Sequence, residues 1–118
     1  NKILHGFKNI KLIEPLEYEP FVYLMNKSYF IITDSGGVQE EAPSLGKPVL
    51  VTRKITERPE SLSSGAVKLV GTDKKKIVTE AQRLLSEENE YMKMSIIQNP
   101  YGDGHACAKI ISGLMQYI

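Results

Sequence analysis

Four short apolar runs, residues 10–13, 29–33, 48–52 and 66–70, are each rich in β-branched or aromatic residues and nearly continuous rather than alternating. A strand that is apolar on both sides has to be covered on both faces, a condition met by parallel strands lying under helices. Helical spacing fills the intervals. Phe21, Leu24 and Met25 fall at i, i+3 and i+4 just after Pro20, which suits a first helical turn. Ile77, Val78, Ala81, Leu84 and Leu85 form a stripe behind Asp73, a good N-cap. Ala108, Ile111, Leu114, Met115 and Ile118 repeat the pattern, entered through Asp103-Gly104. The alternation predicts an α/β fold with a parallel sheet of about four strands and flanking helices. Ligands of such sheets sit beyond the carboxyl ends of the strands, which here means the turns after Thr33 and Thr52.

At 118 residues the chain is one domain by size. With 42% hydrophobic and 25% charged residues it has globular composition, and no apolar run is long enough to span a bilayer. Fifteen Lys plus Arg against fourteen Asp plus Glu leave a formal charge of +1 with the signs mixed, so neither a nucleic-acid nor a membrane partner is expected. Cys107 is alone and no charged-then-apolar signal segment opens the chain, which points to a reducing, cytoplasmic setting. The first residue is Asn1 rather than Met, as in a chain that begins inside a longer protein.

The run 29–33 leads into Asp34-Ser35-Gly36-Gly37, and residues 38–45 read as a short helix ended by Gly46. Two glycines allow backbone to approach a ligand closely. The free N–H groups of a first helical turn, with the Ser35 hydroxyl, would suit phosphate oxygens. The glycines match neither a P-loop nor a G-x-G-x-x-G fingerprint, and a plain tight connection explains them equally well. Glu41, four residues past Gly37, falls one turn into the helix on the side of the glycine loop, where a carboxylate could accept hydrogen bonds from the vicinal hydroxyls of a ribose. Glu40 faces elsewhere and reads as a solvated residue or a partner of the helix dipole.

After the run 48–52 comes Arg53-Lys54-Ile55-Thr56-Glu57-Arg58-Pro59-Glu60. Pro59 can begin a helix, so Arg58 falls at the carboxyl edge of the sheet, where a guanidinium could bind a diphosphate. On pattern alone a surface salt-bridge cluster with Glu57 and Glu60 is the preferred reading. His5 and His105 lack companions at metal-ligand spacing and read as surface or capping residues, so no metal is expected. Cys107, on an apolar helix face, reads as a buried inert thiol. Residues 99–104 have the chemistry of a turn and helix start.

Taken together, the stretch TDSGGVQEEAPSLGKPVLVTRKITERPE closely resembles the signature region of the non-hydrolysing UDP-N-acetylglucosamine 2-epimerases, and LVGTD with NPYGDGHACAKI matches the end of that family. The likeness runs over essentially the whole chain. It implies a Rossmann-like part of a two-domain GT-B fold, with residues 1–118 a single partial domain, the UDP-binding C-terminal portion. It implies interconversion of UDP-GlcNAc and UDP-ManNAc: a base removes the proton at C2, UDP leaves C1 to give a 2-acetamidoglucal, and UDP returns after reprotonation on the opposite face. No cofactor is required. The resemblance places Ser35, Gly36 and Gly37 at the diphosphate, Glu41 at the ribose hydroxyls, Arg58 facing the diphosphate and Phe21 beside the uracil. Leu16 stands where some relatives carry a polar residue and is left out of that set.

The proton-transfer carboxylates of that family belong to its N-terminal domain, and its substrate histidine precedes this region. No catalytic residue is therefore carried onto this sequence, and these 118 residues alone are not expected to epimerise. The family's C-terminal sheet has six strands in the order 3-2-1-4-5-6, of which this chain supplies the last four. Residues 10–13 are thus expected either to close up against the run 29–33 or to leave an edge that another chain covers, and a homodimer is expected. Two other enzymes would use the same phosphate turn and ribose acid: the donor-binding half of a GT-B glycosyltransferase, and a hydrolysing UDP-GlcNAc 2-epimerase.

Overall fold

The computed structural model describes residues 2–96 and 100–118. Its sheet has three strands in the order β1-β2-β3, all parallel: β1 (Ile31–Thr33), β2 (Val49–Val51) and β3 (Val67–Leu69). Ile31 lies opposite Val49 and Thr33 opposite Val51, so β1 and β2 end level with one another. The two segments that follow them therefore leave the same edge of the sheet side by side.

Helices cover both faces. On one, α1 (Tyr18–Lys27), α2 (Gly36–Glu41) and the turn directly after α2 bring Met25, Val38 and Ala42 against Val49, Val51 and Val67. On the other, α4 (Lys74–Ser86) and α5 (Glu88–Ser95) cover Leu50 and Val70 with Leu84, Ile77, Ala81 and Tyr91. The central strand is buried at every residue, as its unbroken apolar run requires. A short helix α3 (Pro59–Ser63) precedes β3, and α6 (Ala106–Met115) ends the fold.

Local signals explain the element ends. Pro20 lies in the first turn of α1, and the Asp73 carboxylate accepts the Lys76 N–H at 2.9 Å to cap α4. The helix expected over residues 38–45 begins earlier, at Gly36, and tightens into a 3-10 turn at Ala42–Leu45. Pro43 has no N–H to continue the α pattern. Gly46, at φ 68°, closes the turn in the left-handed conformation, with its own N–H donating to Pro43 O and that of Lys47 to Ala42 O.

Two expectations are corrected. Residues 10–13 form no strand, so the sheet has three strands rather than about four. They do not close up against β1, and Ile10, Leu12 and Ile13 are 38%, 55% and 60% exposed. Their β-branched composition favours a strand, but a strand exists only where a neighbour supplies hydrogen bonds and a covering layer. Cys107 is exposed rather than buried, because α6 has the expected apolar stripe but buries none of it. Asn99, in the expected 99–104 turn, lies outside the described residues. The radius of gyration, 17.0 Å, exceeds the roughly 13.5 Å of a compact chain of this length.

Candidate functional site

The carboxyl end of β1 turns sharply because the Ser35 N–H donates to Thr33 Oγ1 at 3.0 Å. Ser35 then caps α2, its hydroxyl accepting the Val38 N–H at 3.4 Å. Gly36 and Gly37 occupy the first turn, where N–H groups have no intrahelical acceptor. A Cβ built on Gly36 would lie 2.5 Å from Glu57 Oε1 and 3.9 Å from the Arg58 guanidinium carbon. The Glu57 carboxyl and the Arg58 guanidinium thus lie over the bare Gly36 backbone.

The segment after β2 folds back as a loop. Arg53 donates to Glu57 at 2.5 Å, and the Glu57 carboxyl is held below the usual carboxylate range, first by a hydrogen bond from its own backbone and then by Arg53. The Arg58 Nε–H donates to Glu40, which raises the guanidinium above its ordinary value. Both side chains remain about a third exposed, 36% and 37%, so water screens the pair and it adds little to stability.

One end of α1 leans over α2. Tyr18, Phe21, Ser35, Gly37 and Glu41 line a cleft of about 140 Å³, with Met25 and Val38 beneath it. The Tyr18 hydroxyl donates to Glu41 Oε2 at 3.1 Å, and this bond, with the carboxylate's charge, pushes the phenol up from its ordinary value. Four expected residues, Phe21, Ser35, Gly37 and Glu41, thus face one cleft. Gly36 and Arg58 are brought together next to it, with Arg58 drawn towards Glu40. A larger groove of about 440 Å³ beside β1 shares Phe21, Met25 and Val38 but none of the expected polar residues. Among the described residues no group of three or more His, Cys, Asp or Glu could hold a metal ion.

Four participants were not singled out for these roles in the sequence. Glu40, read as a solvated face residue, holds Arg58. Tyr18, Gln39 and Thr56 carried no signal beyond their position in helix and loop. Gln39 and Thr56 are buried and bonded to each other at 2.6 Å.

The family model described as UDP-N-acetylglucosamine 2-epimerase matches residues 1–115. The chain belongs to the UDP-N-acetylglucosamine 2-epimerase family. The UDP-N-acetylglucosamine 2-epimerase of Escherichia coli (strain K12) is 62% identical over 114 residues, covering 97% of this chain and 30% of that protein. That of Salmonella typhimurium (strain LT2) is 59% identical over 117 residues, 99% of this chain and 31% of that protein. Among solved structures, the Neisseria meningitidis UDP-GlcNAc 2-epimerase bound to UDP-GlcNAc superposes with a TM-score of 0.90 at 52% identity, over 98% of this chain and 32% of that one. The S. aureus MnaA–UDP complex superposes equally well, with a TM-score of 0.90 at 49% identity, again over 98% of this chain and 32% of that one. The chain therefore spans about 30% of the length of these epimerase-family relatives. The parallel α/β fold expected from the sequence is the one observed, and it superposes on about a third of each of these epimerase structures.

Proposed function

We propose that residues 1–118 are a single partial domain, the UDP-binding C-terminal portion of a non-hydrolysing UDP-N-acetylglucosamine 2-epimerase. The cleft that gathers Phe21, Ser35, Gly37 and Glu41 beside Gly36 and Arg58 is the observation that carries this reading. The Ser35-Gly36-Gly37 turn takes the diphosphate on its hydroxyl and free N–H groups. Glu41, oriented by Tyr18, accepts hydrogen bonds from the ribose hydroxyls. Phe21 presents its partly exposed ring to the uracil. Arg58 exchanges its bond to Glu40 for the diphosphate, and charge stabilised there lowers the barrier to departure of UDP from C1 after the C2 proton is taken. The groups that move that proton lie outside this set, so the 118-residue chain alone binds UDP without epimerising UDP-GlcNAc. A cytoplasmic setting, supported by the lone cysteine, and a homodimer, supported by the uncovered apolar stripe of α6, belong to the same proposal.

The full-length protein carrying this sequence, incubated with UDP-GlcNAc and followed by proton NMR, should give a mixture of UDP-GlcNAc and UDP-ManNAc. Release of ManNAc and free UDP would make it a hydrolysing enzyme. An unchanged substrate that turns over only when an acceptor sugar is added would make it a glycosyltransferase.

A further inference from the structure

The side chain of Gln39 is completely buried, although it is polar and sits on a two-turn stretch of chain that has apolar neighbours to fill the core. Each end of its amide is used. Nε2 donates to the Ser35 carbonyl at 3.3 Å, on the turn that follows β1. Oε1 accepts the Thr56 hydroxyl at 2.6 Å, on the loop that follows β2. The Thr56 oxygen in turn accepts the backbone N–H of Arg58 at 3.0 Å, and the Arg58 carbonyl accepts the Ser61 hydroxyl at 2.6 Å. A continuous hydrogen-bonded path thus runs from Ser35 through Gln39 and Thr56 to the backbone of Arg58. Burying an unpaired amide is unfavourable, and this one is retained with both ends matched across two loops that no strand pairing joins.

We infer that Gln39 and Thr56 are positioning residues that hold the Arg58 loop in register with the Ser35-Gly36-Gly37 turn, so that both reach one diphosphate. This deepens the UDP-site reading above and rests on it. Neither residue touches the ligand. Their effect on binding passes through the guanidinium, whose backbone they fix, and a loop free to shift by an ångström loses a directional contact of this kind. A residue that merely fills space would lower stability and leave the coupling to Arg58 at zero.

The test is a double-mutant cycle on the full-length protein, with UDP affinity read by calorimetry and folding checked by thermal melting. Thr56→Val removes the hydroxyl at nearly constant volume and should weaken UDP binding roughly tenfold. In an Arg58→Ala background the same change should cost less than about twofold, because the group being positioned is gone. Thr56→Ser, which keeps the hydroxyl, should restore the parent affinity. Should Thr56→Val not fold, Gln39→Met removes both the donor to Ser35 and the acceptor for Thr56 at similar side-chain length, and is carried through the same cycle. An equal loss in both backgrounds, or no loss in the parent background, would overturn the inference. An Arg58→Ala protein that binds UDP as tightly as the parent would overturn it too, and would mark the failure as that of the UDP-site reading beneath it.

Discussion

Tyr18 and Glu57 show how the site sets the properties of single groups. The Glu41 carboxylate accepts the Tyr18 phenol hydrogen, so the neutral phenol is favoured and its folded value lies above the ordinary one. That bond is fully present below about pH 10 and is lost as pH rises through the folded value. An ultraviolet titration should therefore lose one late-ionising tyrosine in Tyr18→Phe, and an unchanged titration would contradict the assignment. Glu57 has the opposite sign. Its folded value is lowered, so its contribution is present above the ordinary carboxylate range and disappears as pH falls through the folded value. Urea unfolding at pH 7 should find Glu57→Gln slightly less stable than the parent, with the gap closing as pH falls below the ordinary carboxylate range. At this scale the glycine turn and Glu41 are legible as candidates, because turn chemistry and charge are visible in residue type, whereas Arg58 reads on pattern alone as a surface salt bridge and becomes a candidate through the family resemblance. The sequence hides Tyr18, Gln39 and Thr56, whose roles arise from partners 17 to 23 positions away.

The elements divide according to whether a neighbour completes them. β2 lies between two strands and beneath helices on both faces, and its Leu50 is wholly buried. Leu50→Ala should cost about 2–5 kcal/mol, measured by chemical denaturation, because the surrounding layers cannot collapse into the space. Asp73→Ala should cost about 1 kcal/mol by loss of the α4 cap. A loss below about 0.3 kcal/mol would mean that the Lys76 N–H finds another acceptor. Periodicity and capping residues made α1, α4 and α6 legible, and unbroken apolar runs made the three strands legible. Residues 10–13 carry the same local signal and form no strand, since pairing depends on what lies alongside and not on the run itself. The stripe on α6 shows the same limit: its period fixes a helix, and nothing in the period fixes a partner.

Over the whole molecule, two-sided helical cover on a three-stranded sheet gives the buried core of the fold, and the carboxyl ends of β1 and β2 deliver the candidate site. Exposed apolar residues lie on residues 10–16 and along α6, which is where the proposed homodimer would find its surface. The cleft, the glycine turn and the Arg58 loop are properties of this chain. The most direct measurement is a calorimetric titration of the full-length protein with UDP, comparing the parent with Glu41→Ala and Arg58→Ala. Each variant should bind roughly tenfold more weakly while remaining folded, since each loses charge-assisted hydrogen bonds to a different part of the nucleotide. Parent-like affinity in both folded variants would contradict the account, placing UDP somewhere other than the cleft between α1 and the Ser35-Gly36-Gly37 turn.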